Sequence, residues 1–239
     1  MKLYGKNPVL ERMRSNPQSI RRILVEQGHE DHGFIAGKAR KHGIPVSAVP
    51  ASQLLKIARN VNTQGIVADV DDFAYVPYAE LLELAVSKHL VLVFLDGILD
   101  PQNLGAIIRS LGCLGDFAIV LPTKESVSVT EAVLRVASGG ENYVRVSQVS
   151  NLAQAIVKAK DAGFWIAGSI VDDGEEIFNV QLQFPLGLVL GSEQKGIRDV
   201  IKKYLDLKVT IPMSQKRMSF NVAQAATIFA YEITKQKNK

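Results

Sequence analysis

Asn103, Gly105 and Arg109 stand in the segment Leu95 to Ser110, LDGILDPQNLGAIIRS, at a spacing that brings an amide and a guanidinium to the first turns of one helix. An apolar strand, Leu90 to Leu95, leads in, and Asp100 with Pro101 fixes the turn. Strand-to-helix turns of this kind are where open α/β sheets hold ligands. Asn103 can cap a helix beginning near Leu104, and Gly105 permits a close backbone approach. An ordinary capped turn accounts for both. Arg109 is harder, because it lies among Ala106, Ile107, Ile108 and Leu111, where burial makes an unpaired charge costly. It is either a structural ion-pair partner or an arginine that grips a phosphate through its planar fork.

Two later segments carry matching chemistry. Leu188 to Ile197 is a strand running into a turn with Gly191, Ser192, Glu193 and Gly196. Glycines there let a flat adenine lie against the main chain; alternatively, Glu193 only favours the N-terminus of the next helix. The residues between the glycines are bulky and Ile197 stands where a P-loop requires Lys, so this is not a P-loop. In the third segment Ile211, Pro212 and Met213 end a strand, and Ser219, Phe220 and Asn221 open an alanine-rich helix. Ser219 and Asn221 are both capping types. The small residues from Val222 to Ala230 suit close packing, in a core or across a dimer contact.

The elements that must position these residues alternate. Strands are expected at 90–95, 117–121, 143–146, 165–169, 186–190 and 208–211. Helices are expected at 78–88, 104–112, 130–138, 151–162, 196–203 and 222–234. Short apolar strands separated by helices imply a mainly parallel sheet covered on both faces. Ahead of them, residues 1–74 read as a smaller α/β unit with helices at 7–14, 33–42 and 51–60 and strands at 20–26, 45–49 and 64–70. The charged, proline-containing stretch 71–77 separates it from a larger domain, 75–239.

Charge is uneven along the chain. The net +4 lies wholly in residues 1–75, which hold 11 Lys or Arg against 7 Asp or Glu. Arg12, Arg14, Arg21, Arg22, Lys38, Arg40 and Lys41 form the clusters, which serve either as phosphate contacts or as a solvated helix face. No apolar run reaches the ~18 residues of a membrane span, and the N-terminus lacks a secretory apolar core; a cytoplasmic protein without membrane contact is expected. Cys113 is the only cysteine, so no intramolecular disulfide forms, and its place in an apolar helix end predicts burial. His29 and His32 have no third ligand at suitable spacing, and no metal is expected.

In this order and at these separations, the three segments resemble the motifs of the SpoU (TrmH) family of RNA ribose 2′-O-methyltransferases. The resemblance implies a SPOUT-type methyltransferase domain whose C-terminal chain threads a trefoil knot, acting as a homodimer. It implies S-adenosylmethionine as cofactor, with Gly191, Ile211, Met213 and Phe220 holding it. It assigns catalysis to Arg109, supported by Asn103, Glu193, Ser219 and Asn221. The segment departs from the family pattern at Gln215, where glycine is common, at Lys216 and Arg217, which add charge and could meet RNA phosphate, and at Phe220, which replaces leucine. Near the N-terminus, Tyr4 to Glu11 and Gln64 to Ala68 resemble the edges of the RNA-binding domain of the ribosomal-RNA branch. The substrate so implied is a guanosine of large-subunit (23S-type) ribosomal RNA. A tRNA 2′-O-methyltransferase and a non-catalytic RNA-binding or ribosome-assembly factor on the same fold remain alternatives.

Overall fold

Two β-sheets lie on either side of residues 71–77 in the computed structural model, which describes residues 1–58, 61–215 and 218–238. Arg59 and Asn60, at the expected end of the third helix, and Lys216 and Arg217 lie outside the described residues. The first unit runs β1 (Lys2–Tyr4), α1 (Lys6–Ser15), β2 (Ile20–Glu26), α2 (His32–Arg40), β3 (Val46–Val49), α3 (Ala51–Ala58) and β4 (Ile66–Val70). Its sheet has the order β1-β4-β2-β3, with only the β2–β3 pair parallel.

The second unit runs α4 (Tyr78–Ser87), β5 (Val91–Asp96), α5 (Pro101–Leu114), β6 (Phe117–Pro122), α6 (Glu131–Ala137), β7 (Arg145–Val149), α7 (Leu152–Asp161), β8 (Trp165–Ser169), β9 (Glu175–Glu176), β10 (Leu186–Gly191), α8 (Asp199–Lys202), β11 (Leu207–Thr210) and α9 (Val222–Lys237). Its strands order as β7-β6-β5-β10-β8-β11-β9, and every pairing is parallel. Because both faces are covered, β5 is apolar from Val91 to Leu95 rather than alternating. Val91, Val93 and Leu95 meet α5, α6 and α9 on one face, while Leu92 and Phe94 meet α4, α7 and α8 on the other. The first of these apolar clusters continues into the N-terminal unit through Leu3, Val9, Met13 and Ile23.

β10 enters between β5 and β8, and its register sets Gly191 opposite Asp96. The turns after β5 and after β10, nearly a hundred residues apart in sequence, therefore leave the sheet side by side. This is a crevice at the carboxyl ends of neighbouring parallel strands, where such sheets bind ligands.

Several element expectations need correction. Helix α5 starts at Pro101, not Leu104, because Asp100 is its cap: the Asp100 carboxylate accepts the Gln102 amide at 2.8 Å. The strand expected at 143–146 begins at Arg145, since a tight turn over 140–142 takes the Tyr143 amide to the Gly140 carbonyl (3.0 Å). The helix expected at 196–203 shrinks to α8, because the preceding residues close a small hairpin, with the Gly196 amide on the Ser192 carbonyl at 2.8 Å. Cys113 is exposed rather than buried; it lies off the α5 face that carries Ile107, Ile108 and Leu111.

Candidate active site

The site begins with a buried anchor. Asp96, 1% exposed at the end of β5, accepts the Arg198 amide at 2.9 Å and its Nε at 2.7 Å. Arg198 also reaches Glu125 at 3.3 Å. A buried carboxylate needs such partners, and this one fixes the turn after β10 against the end of β5. Sequence reading assigned neither residue a role; the only signal was an Asp at the end of an otherwise apolar strand.

On this anchored frame, one residue from each of the three segments meets. The Asn103 amide donates to Glu193 Oε1. The Asn221 amide donates to Asn103 Oδ1 at 2.9 Å and lies 3.1 Å from Glu193 Oε1, while Asn221 Oδ1 accepts the Ala223 amide at 2.9 Å. Asn221 is therefore the cap of α9 and a member of the cluster at once. Asn103 is not a cap; its side chain points at Glu193 from inside α5. Ser219 is exposed, caps no helix among the described residues, and lines the adjoining cavity.

That cavity, about 390 Å³, opens at the carboxyl ends of β8, β10 and β11. Gly191, Glu193, Ile211, Met213, Ser219 and Phe220 all line it. Apolar walls beside loop backbone and a few polar groups suit a small, partly aromatic ligand, and the size lies in the range of such sites. The reason for glycine at 191 differs from the one expected. A Cβ there would lie 2.1 Å from the Gly196 carbonyl carbon and 2.2 Å from the Ile197 nitrogen. The chain's own hairpin, rather than a ligand, demands that glycine.

Arg109 stands apart from this cluster and is exposed, contrary to the expected burial. Six residues along α5 from Asn103, it faces a different side of the helix. Among the described residues it has no hydrogen-bonding or ion-pair partner, so the ion-pair reading finds no support. Its backbone is nonetheless tightly seated: a Cβ on Gly140 would come within 2.9 Å of Arg109 Cα. Gly105 likewise serves helix packing, since a Cβ there would meet Val136 at 2.5 Å. Next to Arg109, Ser110 Oγ lies 2.7 Å from Thr227 Oγ1 of α9.

Three of the seven cations in the N-terminal basic clusters are ion-paired. Arg12 pairs with Glu141, Arg21 with Asp71 and Arg22 with Asp69. The His29 ring accepts the Asp31 amide at 3.1 Å and faces the Gln64 carbonyl at 3.1 Å, so both its nitrogens are engaged. Among the described residues no helix is long and apolar enough to cross a membrane.

A doubly covered parallel sheet with three loop segments gathered round a small-ligand cavity, preceded by a separate α/β unit, defines a two-part α/β transferase architecture. Residues 90–231 match the SpoU rRNA Methylase family, and residues 2–76 match the family described as RNA 2′-O ribose methyltransferase substrate binding. The chain is 34% identical to slr0955 of Synechocystis sp., named an uncharacterized tRNA/rRNA methyltransferase, over 98% of its own length and 62% of that relative's. It is 29% identical to the 23S rRNA (guanosine-2′-O-)-methyltransferase RlmB of Pseudomonas putida, over 99% of this chain and 96% of that one. Its fold matches the SpoU methyltransferase AviRb of Streptomyces viridochromogenes, solved in complex with the cofactor AdoMet, with a TM-score of 0.82 at 22% identity, covering 100% of this chain and 91% of that chain. The chain belongs to the SpoU family of RNA ribose 2′-O-methyltransferases, and carries the substrate-binding domain as well as the methylase domain.

Proposed function

We propose that this protein transfers a methyl group from S-adenosylmethionine to the ribose 2′-hydroxyl of a guanosine in large-subunit ribosomal RNA. The observation that carries the reading is the meeting of Asn103, Glu193 and Asn221 at the rim of the cavity lined by Gly191, Ile211, Met213 and Phe220. The likeness to the Pseudomonas enzyme over both units supports the choice of ribosomal RNA over tRNA.

The cavity fits the cofactor on its own terms. Ile211, Met213 and Phe220 offer an apolar wall to adenine, and the loops 191–197 and 211–213 offer main-chain polar groups to the sugar and amino-acid parts. When bound, S-adenosylmethionine supplies an electrophilic methyl on sulfur. The rest is positioning. The ribose oxygen must approach in line with the sulfur–methyl bond, which would break as the O–C bond forms, and its proton would pass to solvent as negative charge develops on the oxygen. Arg109 holds the adjacent phosphate and stabilises that charge; a guanidinium, always protonated in proteins, is no proton acceptor. Asn103 and Asn221 fix Glu193 from two sides, keeping the β10 turn in register with α5.

The protein acts as a homodimer in this reading. Thr227 and Tyr231 leave the outer side of α9 exposed, beside Ser110 and Arg109 of α5, and a second copy covers that side. Light scattering at micromolar concentration should give twice the chain mass; a monomer with full activity would remove this part. The central test is transfer of labelled methyl to unmodified large-subunit ribosomal RNA and to tRNA, followed by ribose-methylation mapping. Label on a single ribosomal guanosine is expected. Label on tRNA alone would overturn the substrate assignment, and failure to bind S-adenosylmethionine by calorimetry would overturn the activity.

A further inference from the structure

We propose that Phe34, on α2 of the N-terminal unit, is a stacking platform for an unpaired RNA base, with Lys38 and Lys6 placed to hold the phosphates beside it. This rests on the reading of the chain as an RNA-modifying enzyme and names a contact that reading leaves open.

Helix α2 buries Ile35 and Ala39 and turns Phe34, Lys38 and Lys41 outward along one side. Phe34 is 51% exposed, although a phenylalanine gains by burial. Two ammonium groups lie over its ring, Lys38 Nζ at 5.0 Å from the centroid and Lys6 Nζ, from α1, at 5.8 Å. Both lie within cation–π range. Asp31 holds Lys6 by an ion pair at 2.6 Å, which fixes that lysine beside the ring. Lys38, Arg40 and Lys41 have no ion-pair partner among the described residues, in contrast to Arg12, Arg21 and Arg22.

The glycines beside the ring supply an independent observation. Gly37 sits inside α2, where glycine weakens a helix, yet a Cβ there would meet no protein atom within 4 Å. Gly33, immediately before Phe34, is equally unconstrained. Nothing within the protein requires either glycine. Both lie in the same short stretch of chain as the exposed ring, one residue before it and three residues after it.

An exposed aromatic ring with cations beside it is what single-stranded RNA recognition uses, since unpaired bases stack on aromatic rings while cations track the phosphates. An A-form duplex keeps its bases stacked internally and cannot engage such a ring. A protein partner would gain little from one phenylalanine ringed by positive charge.

The test uses the full chain and two labelled probes, a twelve-nucleotide oligoadenylate and a twelve-base-pair RNA duplex. Phe34→Ala should weaken oligoadenylate binding at least fivefold and duplex binding by less than twofold, while Phe34→Trp should bind and lose tryptophan emission on stacking. Lys38→Gln should lower the log–log salt slope by about 0.7 on the single strand. An unchanged melting temperature and S-adenosylmethionine affinity would show that the variants are folded. Oligoadenylate binding within twofold of wild type for Phe34→Ala, an equal loss on duplex, or a wild type that ignores oligoadenylate would each overturn the platform. Normal stacking by a wild type that methylates no RNA would instead sink the functional reading and leave the platform standing.

Discussion

Arg12 and Glu141 form a buried ion pair between the N-terminal unit and the methylase sheet, with Nη2 and Oε1 3.1 Å apart. Arg12 also donates to Ser19 Oγ at 3.3 Å, and Glu141 Oε2 accepts the Gly139 amide at 3.0 Å. The pair holds the 139–142 turn, whose Gly140 backbone packs on α5 at Arg109 and Gly112. Two units that could have been beads on a linker are therefore fastened where the α5 arginine sits.

Removing one partner of a buried pair leaves an uncompensated charge, which costs about 3–5 kcal/mol, whereas replacing both with apolar residues is often neutral. Arg12→Met should therefore destabilise the protein by that amount, and Arg12→Met with Glu141→Met should recover most of it. Urea unfolding of the two variants checks this. A double variant no more stable than the single would mean that the pair itself, not the stranded carboxylate, carries the energy.

Arg109 is exposed and has no partner among the described residues, so its loss should leave stability within about 0.5 kcal/mol of wild type. Arg109→Ala should lower single-turnover methyl transfer by a factor of about 10²–10³, equivalent to ~3–4 kcal/mol. Arg109→Lys should recover little, because an ammonium lacks the planar fork. A lysine variant with near-normal chemistry would displace Arg109 from the mechanism.

Asn221 has two duties that substitution can separate. Asn221→Ser keeps a cap for the Ala223 amide but loses the amide that reaches Asn103 and Glu193. It should melt like wild type and methylate slowly. Asn221→Ala should lose the cap as well, at about 1 kcal/mol. If both variants turn over normally, the cluster is scaffolding only.

Tyr4 joins β1 to α6 by donating to Glu131 Oε2 at 3.0 Å. Burial, reinforced by that carboxylate, raises its pKa from 10.0 to about 12. The folded state thus favours the neutral phenol: its contribution is whole below pH 10 and is lost as pH rises toward about 12. Tyr4→Phe should flatten the fall in stability across that window. An unchanged alkaline profile in this variant would assign the loss to another group.

Local pattern reveals much of this architecture. Apolar runs such as Val91 to Leu95 and capped repeats such as Asn151 to Asp161 carry their own periodicity, so the alternation of strands and helices is legible. The three motif segments are legible because each punctuates a strand end with Gly, Pro, Asn or Ser. What pairs across the fold is not. Asp96 finds Arg198 and Asn103 finds Glu193 only because β10 slips between β5 and β8, an order that no periodicity contains. The side Arg109 faces is not legible either, because neighbours in sequence are not neighbours on a helix face: Ile107, Ile108 and Leu111 point inward while the arginine between them points out. The cap was misplaced for a related reason. Asp100 precedes a proline that starts a helix well, and Asn103, a good cap by type, sits one turn inside.

The solitude of Arg109 has a kinetic consequence. Among the described residues no ion pair or hydrogen bond has to break before its guanidinium meets an anion, so in the proposed role its capture of a polyanion should be fast and strongly dependent on ionic strength. Heparin or bulk transcript would compete for the same charge. On the proposed function, discrimination between one ribose and its many equals would then rest not on that arginine but on the cavity rim and the N-terminal unit.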